Sequence, residues 1–267
     1  MTNAISPARQ PANRVPDVTV DFWLIKLMAV TMGETAADYL AVNLGLGLTV
    51  TSLIMTAILA IAIAFQFSLK RYVPAAYWAA VVLISIVGTL VTDNLVDNFG
   101  VPLEATTAGF SLVLALTFLG WYWLERTLSI HTIYTDRRET LYWLAILFTF
   151  ALGTAAGDLI AETMSLGYLT TALLFLGVIG AIALSHYRLG MNGILAFWLA
   201  YIFTRPLGAS FGDLLSQPTD YGGLGFGTIY TSLLFLGAIV VIVIYMTLST
   251  RSGSSPNAST ESAADRP

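Results

Sequence analysis

One pattern recurs four times along this chain and limits what it can fold into: a tryptophan, a glycine ten residues later and an aspartate five beyond that. The tryptophans are Trp23, Trp78, Trp143 and Trp198, each preceded by an aromatic residue: Phe22, Tyr77, Tyr142 and Phe197. The glycines are Gly33, Gly88, Gly153 and Gly208, and the aspartates are Asp38, Asp93, Asp158 and Asp213. No copy breaks the register, and the copies start 55, 65 and 55 residues apart. Self-similarity at such a spacing marks a repeat architecture in which each copy is one supersecondary unit.

Composition says what kind of unit. Hydrophobic residues make up 57% of the 267 residues, mean hydropathy is +0.77, and charged residues are only 10%. An ordinary soluble domain carries roughly 25% charged residues. A bilayer is the solvent that accommodates so apolar a chain. Each copy contains two apolar segments. The odd segments run roughly 22–44, 77–96, 141–160 and 195–215, and the even ones 50–67, 106–124, 169–184 and 229–248. At a rise of about 1.5 Å per residue these lengths suit membrane-spanning helices, the shorter ones extending into adjoining loops. The expected fold is all-α: a polytopic membrane bundle of about eight transmembrane helices, in four parallel two-helix repeats. A polar segment, 1–20, precedes a membrane domain, 21–248, whose repeats lie at about 22–72, 77–127, 142–190 and 197–248. The small polar residues of 249–267 read as a disordered tail. The first segment lacks the apolar core of a secretory signal, so the first helix is expected to direct insertion.

Orientation follows from the basic residues. Arg9, Arg14, Lys70, Arg71, Arg126, Arg137, Arg138, Arg188, Arg251 and Arg266 fall in the two tails or in the loops between copies. The loops within copies carry Asp97, Glu104, Glu162 and Asp220 instead. The positive-inside rule then puts both termini in the cytoplasm. On this reading Trp23, Trp78, Trp143 and Trp198 anchor the inner interface as an aromatic belt. The aspartates lie roughly 22 Å further along the helix axis, in the outer third of the membrane.

Glycine and aspartate call for different readings. Four residues after each glycine stands Ala37, Thr92, Gly157 or Gly212, a small-xxx-small pattern that lets helix backbones approach closely. Gly33, Gly88, Gly153 and Gly208 are therefore expected to be packing residues. The aspartates sit about 100° round from that seam. They are rim residues, joints between repeats, or ligands converging on a site for a cation or proton. Glu34 lies one turn before Asp38; its equivalents are Thr89, Thr154 and Ala209. One turn after the aspartates come Val42, Asp97, Glu162 and Gln217. Hydroxyl pairs such as Thr51 with Ser52 and Thr231 with Ser232 open the even helices, where local bonding at helix starts is the simpler reading. Lys26, near the inner interface, is expected to snorkel outward. Arg205, beside Pro206 near the midplane, needs a partner, and Glu34 or a repeat aspartate is expected. Lys26 and Arg205 are the expected internal counter-charges.

Much is excluded or unsupported. With no cysteine, thiolate metal sites, iron–sulfur clusters and disulfides are ruled out. The presence of just two histidines, His131 and His186, argues against haem or a multi-histidine metal site within one chain, and no phosphate-binding Gly-x4-Gly-Lys-Ser/Thr loop occurs. The loop around His131, with Asp136, Arg137, Arg138 and Glu139, reads as solvated and held by its own ion pairs. An acidic net charge of −4 offers nothing to nucleic acid. No cofactor and no enzymatic activity are expected.

The segment VTVDFWLIKLMAVTMGETAADYL, the segment ERTLSIHTIYTDRRETLYW and the fourfold register together resemble a family of bacterial membrane proteins. That family is defined by four tandem two-helix repeats of unknown function, and its members are usually labelled only "membrane-anchored protein". The resemblance covers about 18–248 and implies a multi-pass protein of the bacterial inner (plasma) membrane; it supplies no activity. The expected function is binding or secondary transport of a small hard cation, a divalent metal or a proton. Glu34, Asp38, Asp93, Asp158 and Asp213 would serve as oxygen ligands or proton relay, and the metal, if there is one, is unspecified. The alternative is a membrane scaffold or sensor in which the aspartates only join helices. Expected partners are the lipid bilayer, a small inorganic cation and further copies of the chain.

Overall fold

In the computed structural model, which describes residues 12–252, eight α-helices account for most of the described residues. They are α1 (Val20–Asp38), α2 (Leu48–Ser68), α3 (Pro74–Asp93), α4 (Leu103–Glu125), α5 (Asp136–Asp158), α6 (Tyr168–Leu189), α7 (Gly193–Ser216) and α8 (Thr228–Ser252). Local chemistry sets their starts. The Thr19, Thr135 and Asn192 side chains cap α1, α5 and α7 by accepting from backbone N–H groups of the first turn. Pro74 opens α3, where its missing N–H costs nothing. The helix α8 continues to Ser252, past the start at Ser249 expected for the tail; residues 253–267 lie outside the described part.

The helices form two shells. Helices α1, α3, α5 and α7 make a central ring, each touching the next and α7 returning to α1. The even helices stand outside. Each packs on the odd helix of the following copy: α2 on α3, α4 on α5, α6 on α7, and α8 back on α1. Burial separates the shells. Within their most apolar windows α3, α5 and α7 are 72%, 56% and 56% buried, whereas α2, α4, α6 and α8 are 17%, 11%, 22% and 22%. The outer helices therefore present unbroken apolar faces, including Leu53, Ile54, Ile58, Ile61 and Phe65 on α2, that only a lipid environment satisfies. Seven of the eight helices are long and apolar enough to cross a membrane. The exception, α1, carries Asp21, Lys26, Glu34 and Asp38 and is enclosed by its neighbours.

One rule generates the ring. The glycine of each copy faces the residue seven places after the tryptophan of the next copy. Gly33 lies on Ser85, Gly88 on Phe150, Gly153 on Arg205, and Gly208 on Val30 of the first copy. A methyl group at any of these glycines would overlap that neighbour. The aromatic pairs obey the same rule nearer the start of each helix. Phe22 meets Trp78 at 5.6 Å between ring centroids, Tyr77 meets Trp143 at 5.5 Å, Tyr142 meets Trp198 at 6.2 Å, and Phe197 meets Trp23 at 5.7 Å. Backbone approach at glycine and aromatic packing are what hold helices together where water offers no hydrophobic drive. The glycines are thus packing residues, as their spacing indicates.

The tryptophans depart from expectation. Trp78, Trp143 and Trp198 are 1%, 5% and 4% exposed and Trp23 is half-buried, so they act as joints between copies more than as a belt at the bilayer surface. The Trp198 indole donates to the Leu128 carbonyl at 2.9 Å, a partner inside the protein.

The N-terminal segment, expected only to be polar, is docked on the bundle in its described part. Residues 12–19 lie across the tryptophan end of the bundle. Asn13 accepts from Ile133 N at 3.0 Å and donates to Ile130 O at 3.0 Å, and its carbonyl accepts from Tyr72 N at 3.1 Å. Arg14, 5% exposed, reaches Asp136 at 2.5 Å and Glu139 at 2.6 Å. Residues 1–11, the rest of the expected polar segment, are outside the described part.

The ring rule predicts a contrast between glycines. Gly153→Ala forces its methyl into the Arg205 side chain and should lower stability by about 1–3 kcal/mol. Gly177→Ala on α6, with open space around it, should stay within about 0.5 kcal/mol of the parent. Reversible unfolding in detergent measures both; equal effects would contradict the packing rule.

Candidate functional site

The ring encloses an axis, and the residues on it recur every four positions. Four residues make slightly more than one α-helical turn, so such a column drifts by only about 40° per step. From the tryptophan end towards the aspartate end the layers are Phe22/Tyr77/Tyr142/Phe197, Lys26/Val81/Ile146/Tyr201, Val30/Ser85/Phe150/Arg205, Glu34/Thr89/Thr154/Ala209, the four aspartates, and Val42/Asp97/Glu162/Gln217. The first three are mostly apolar or aromatic, and the last three are polar except for Ala209 and Val42.

The aspartates stand where the helices change. In the first three copies the α-helix stops at the aspartate and a π-helical turn follows: Tyr39–Asn43, Asn94–Asn98 and Leu159–Thr163. The wide-turn bonds are Leu44 N to Tyr39 O at 2.9 Å, Phe99 N to Asn94 O at 3.0 Å and Met164 N to Leu159 O at 3.0 Å. A π turn rotates less per residue, which offsets the drift and keeps the aspartate and the side chain four places on facing the axis. The fourth copy has no such turn. Its helix runs on to Ser216, where Pro218 holds Gln217 in an extended conformation and ends it.

The outcome is one acidic cavity of about 170 Å³ on the axis. Asp38, Asp93, Asp158 and Asp213 line it together with Glu34, Asp97, Glu162 and Gln217. Its mouth is at the aspartate end, where Asp97 and Glu162 are exposed; Glu34, 5% exposed, lies one layer deeper than the aspartates. Few protein groups satisfy these acids. The Gln217 amide donates to Asp38 Oδ2 at 3.2 Å. Among the described residues no hydrogen bond reaches the carboxylates of Asp93, Asp158 or Asp213, although Asp213 is only 7% exposed. Nor is any group of three or more Asp, Glu or His side chains among the described residues arranged to hold a metal ion.

A guanidinium closes the floor. Arg205 Nη1 pairs with Glu34 Oε2 at 2.9 Å, and Nη2 donates to Thr89 Oγ1 at 2.5 Å and Thr154 Oγ1 at 2.8 Å. Thr89 in turn donates to Glu34 at 3.2 Å. All four copies thus meet in one layer: three supply acceptors and the fourth supplies the cation. This is the partner expected for Arg205.

Lys26 behaves otherwise than expected. Its side chain does not snorkel to the surface. It is fully buried, donates to the Tyr201 carbonyl at 2.9 Å and to the Thr204 hydroxyl, and lies 4.1 Å from the centre of the Tyr201 ring. No carboxylate bonds to it among the described residues, so of the two expected counter-charges only Arg205 has an acid partner. Pro206, which has no N–H, leaves the backbone ladder of α7 one bond short at Ile202, next to that carbonyl. Half of the eight hydroxyls opening the even helices bond locally: Thr106, Thr171, Thr231 and Ser232 each donate to the carbonyl four residues back, whereas the Thr51 and Thr107 hydroxyls are buried without a partner among the described residues. None lines the axial cavity.

Asp97, Glu162, Gln217, Thr89 and Thr154 belong to this site as fully as the repeat aspartates. Their signal was the same four-residue step read forward and backward from each aspartate. The cavity and its ring define the class: a multi-pass helical membrane protein of four tandem repeats surrounding a shared axial chamber. The family described as Repeat of Unknown Function (DUF347) matches residues 22–72, 76–127, 141–192 and 196–252, and the chain belongs to that family. No curated protein and no solved structure matches it.

The floor predicts strong coupling. Glu34→Gln leaves Arg205 buried without its anion and should cost about 3–5 kcal/mol. The double variant Glu34→Gln, Arg205→Met should recover much of that loss. A double-mutant cycle on thermal unfolding in detergent checks it, and additive effects would mean that the pair does not interact.

Proposed function

We propose that this protein takes a small cation or a proton into the axial cavity from the aspartate end and relays it along the axis. The observation that carries this reading is the convergence of all four repeat aspartates, with Glu34, Asp97 and Glu162, on one chamber. Carboxylates crowded in this way repel one another, and an entering positive charge relieves the repulsion. The acids are not grouped as a chelating metal centre. A proton, or a cation that keeps part of its water shell, therefore fits better than a tightly coordinated divalent metal. Within this reading the positive-inside distribution of basic residues puts the aspartate end outside, in a bacterial plasma membrane.

Arg205 then acts as a built-in competitor. It already occupies the carboxylate of Glu34, so a cation reaching the floor must displace it or share the site. Below it, Lys26 and the aromatic layers of Phe22, Tyr77, Tyr142 and Phe197 form a barrier to a free cation. An open pore is disfavoured, and a gated relay that moves Arg205 is favoured. The scaffold alternative gives the aspartates the role of joints. Against it, the copies are already joined by glycine and aromatic contacts, and of the four repeat aspartates only Asp38 bonds to another copy among the described residues.

The test is flux into proteoliposomes, with pH-sensitive and cation-sensitive dyes. Asp38→Asn combined with Asp158→Asn should lower flux by at least about tenfold, equivalent to about 1.4 kcal/mol, while leaving a monodisperse protein. A folded double variant that matches the parent would refute the relay.

A further inference from the structure

The departure of the fourth copy from the pattern creates a second chamber. Where the other copies make a π turn, the chain after Gln217 loops through Pro218 and glycines 222, 223, 225 and 227 before entering α8. Gly222, Gly225 and Gly227 have φ of 84°, 73° and 82°, conformations that favour glycine. The loop is pinned by Leu224 N to Leu214 O at 2.6 Å and Phe226 N to Leu215 O at 2.9 Å. Between it and the ends of α1, α7 and α8 lies a half-open cleft of about 760 Å³, several of whose lining residues, such as Val42 and Leu224, are exposed.

Three features of this chamber point to a ligand. Its volume is several times that of the axial cavity and falls in the range of clefts that hold small organic molecules, about 300–1,000 Å³. Ser216 belongs to its wall and is only 4% exposed, and its hydroxyl is enclosed just behind the surface of the cleft with no hydrogen-bond partner among the described residues. An orphan of that kind costs roughly 1–3 kcal/mol unless a bound group satisfies it. The lining also holds one carboxylate, Asp38, with the polar side chains of Asn43, Gln217 and Thr228, an apolar wall at Leu224, and no lysine, arginine or histidine. Asp38 and Gln217 line both cavities, and their 3.2 Å hydrogen bond forms part of the partition.

We propose that this lateral chamber binds a small organic cation, an amine or guanidine on a short carbon frame. Asp38 is its counter-ion, and a turn of the Ser216 side chain about its Cα–Cβ bond brings the enclosed hydroxyl to the ligand. The proposal rests on the cation reading of the axial cavity only through Asp38, which the two share. The charged head lies against the partition and the carbon frame against Leu224, so a bound amine biases the Asp38–Gln217 contact at the edge of the axial site.

The experiment is calorimetric titration of the full chain in detergent with n-butylammonium and with agmatine, against sodium chloride at matched ionic strength. Ser216→Leu fills the chamber, and Leu224→Trp narrows it from a position that is 55% exposed. Each should weaken amine binding by about tenfold or more, equivalent to about 1.4 kcal/mol. Asp213→Asn lines only the axial cavity and should leave amine affinity within about threefold, under 1 kcal/mol. Amine binding that Leu224→Trp abolishes and Asp213→Asn spares supports the chamber even if the proteoliposomes show no flux. Absence of amine binding above the salt control overturns it, as does undiminished binding by Leu224→Trp or an equal loss in Asp213→Asn. Should Ser216→Leu fail to fold, Leu224→Trp decides the matter alone.

Discussion

The close approach of each odd helix to the next, at a glycine, is the constraint on which the rest depends. Because Gly33, Gly88, Gly153 and Gly208 admit the neighbouring helix onto their backbones, four helices close into a narrow ring with no room for lipid. Closure puts the side chains one residue beyond the seam onto a common axis. The acids therefore face one another as a consequence of the packing, and the strain of crowding them is held by contacts elsewhere in each helix. Packing and chemistry are interleaved at a fixed offset: the seam at the glycine and the small residue four places on, the axis at the next position in each case.

The ring is fourfold in its backbone and not in its chemistry. Three copies contribute acceptors to the floor and the fourth contributes Arg205. Three copies follow the aspartate with a π turn and the fourth follows it with a proline and a glycine-rich loop. A symmetric ring of acids would repel itself equally in every direction. The single guanidinium breaks that degeneracy and gives the cavity a defined floor. Lys26, one layer lower, adds a second basic side chain with no acid partner among the described residues, so the axis passes from acidic to basic side chains over the few layers between Asp38 and Lys26.

Much of this was legible in the sequence, and what was not has physical causes. The register revealed the copies, the helices and the glycine seam, because each is a local periodicity. It also put each aspartate about 100° from the seam, but a helical wheel does not say where the centre of a bundle lies, so convergence stayed open. The tryptophans were misleading because a ring near a helix end looks the same whether it faces headgroups or another helix. Lys26 was misread for a related reason: its stem is long enough to reach the surface, and only the position of the Tyr201 carbonyl shows why it turns inward. The segment around Arg14 lacks any apolar periodicity. Its role emerges from pairing with Asp136 and Glu139, more than a hundred residues away.

Closure has an architectural consequence. Every copy offers a donor face to the next and an acceptor face to the one before, and the last copy returns to the first. Contacts of this head-to-tail kind generate rings whether or not the subunits are covalently linked. The point at which the chain begins is therefore arbitrary with respect to the ring. A permuted chain starting at the third copy, or two separate halves of two copies each, would satisfy the same interfaces. A duplicated half-length ancestor could have stood as a dimer with the same axis, its two halves diverging only after fusion allowed Arg205 and Glu34 to be placed once instead of twice.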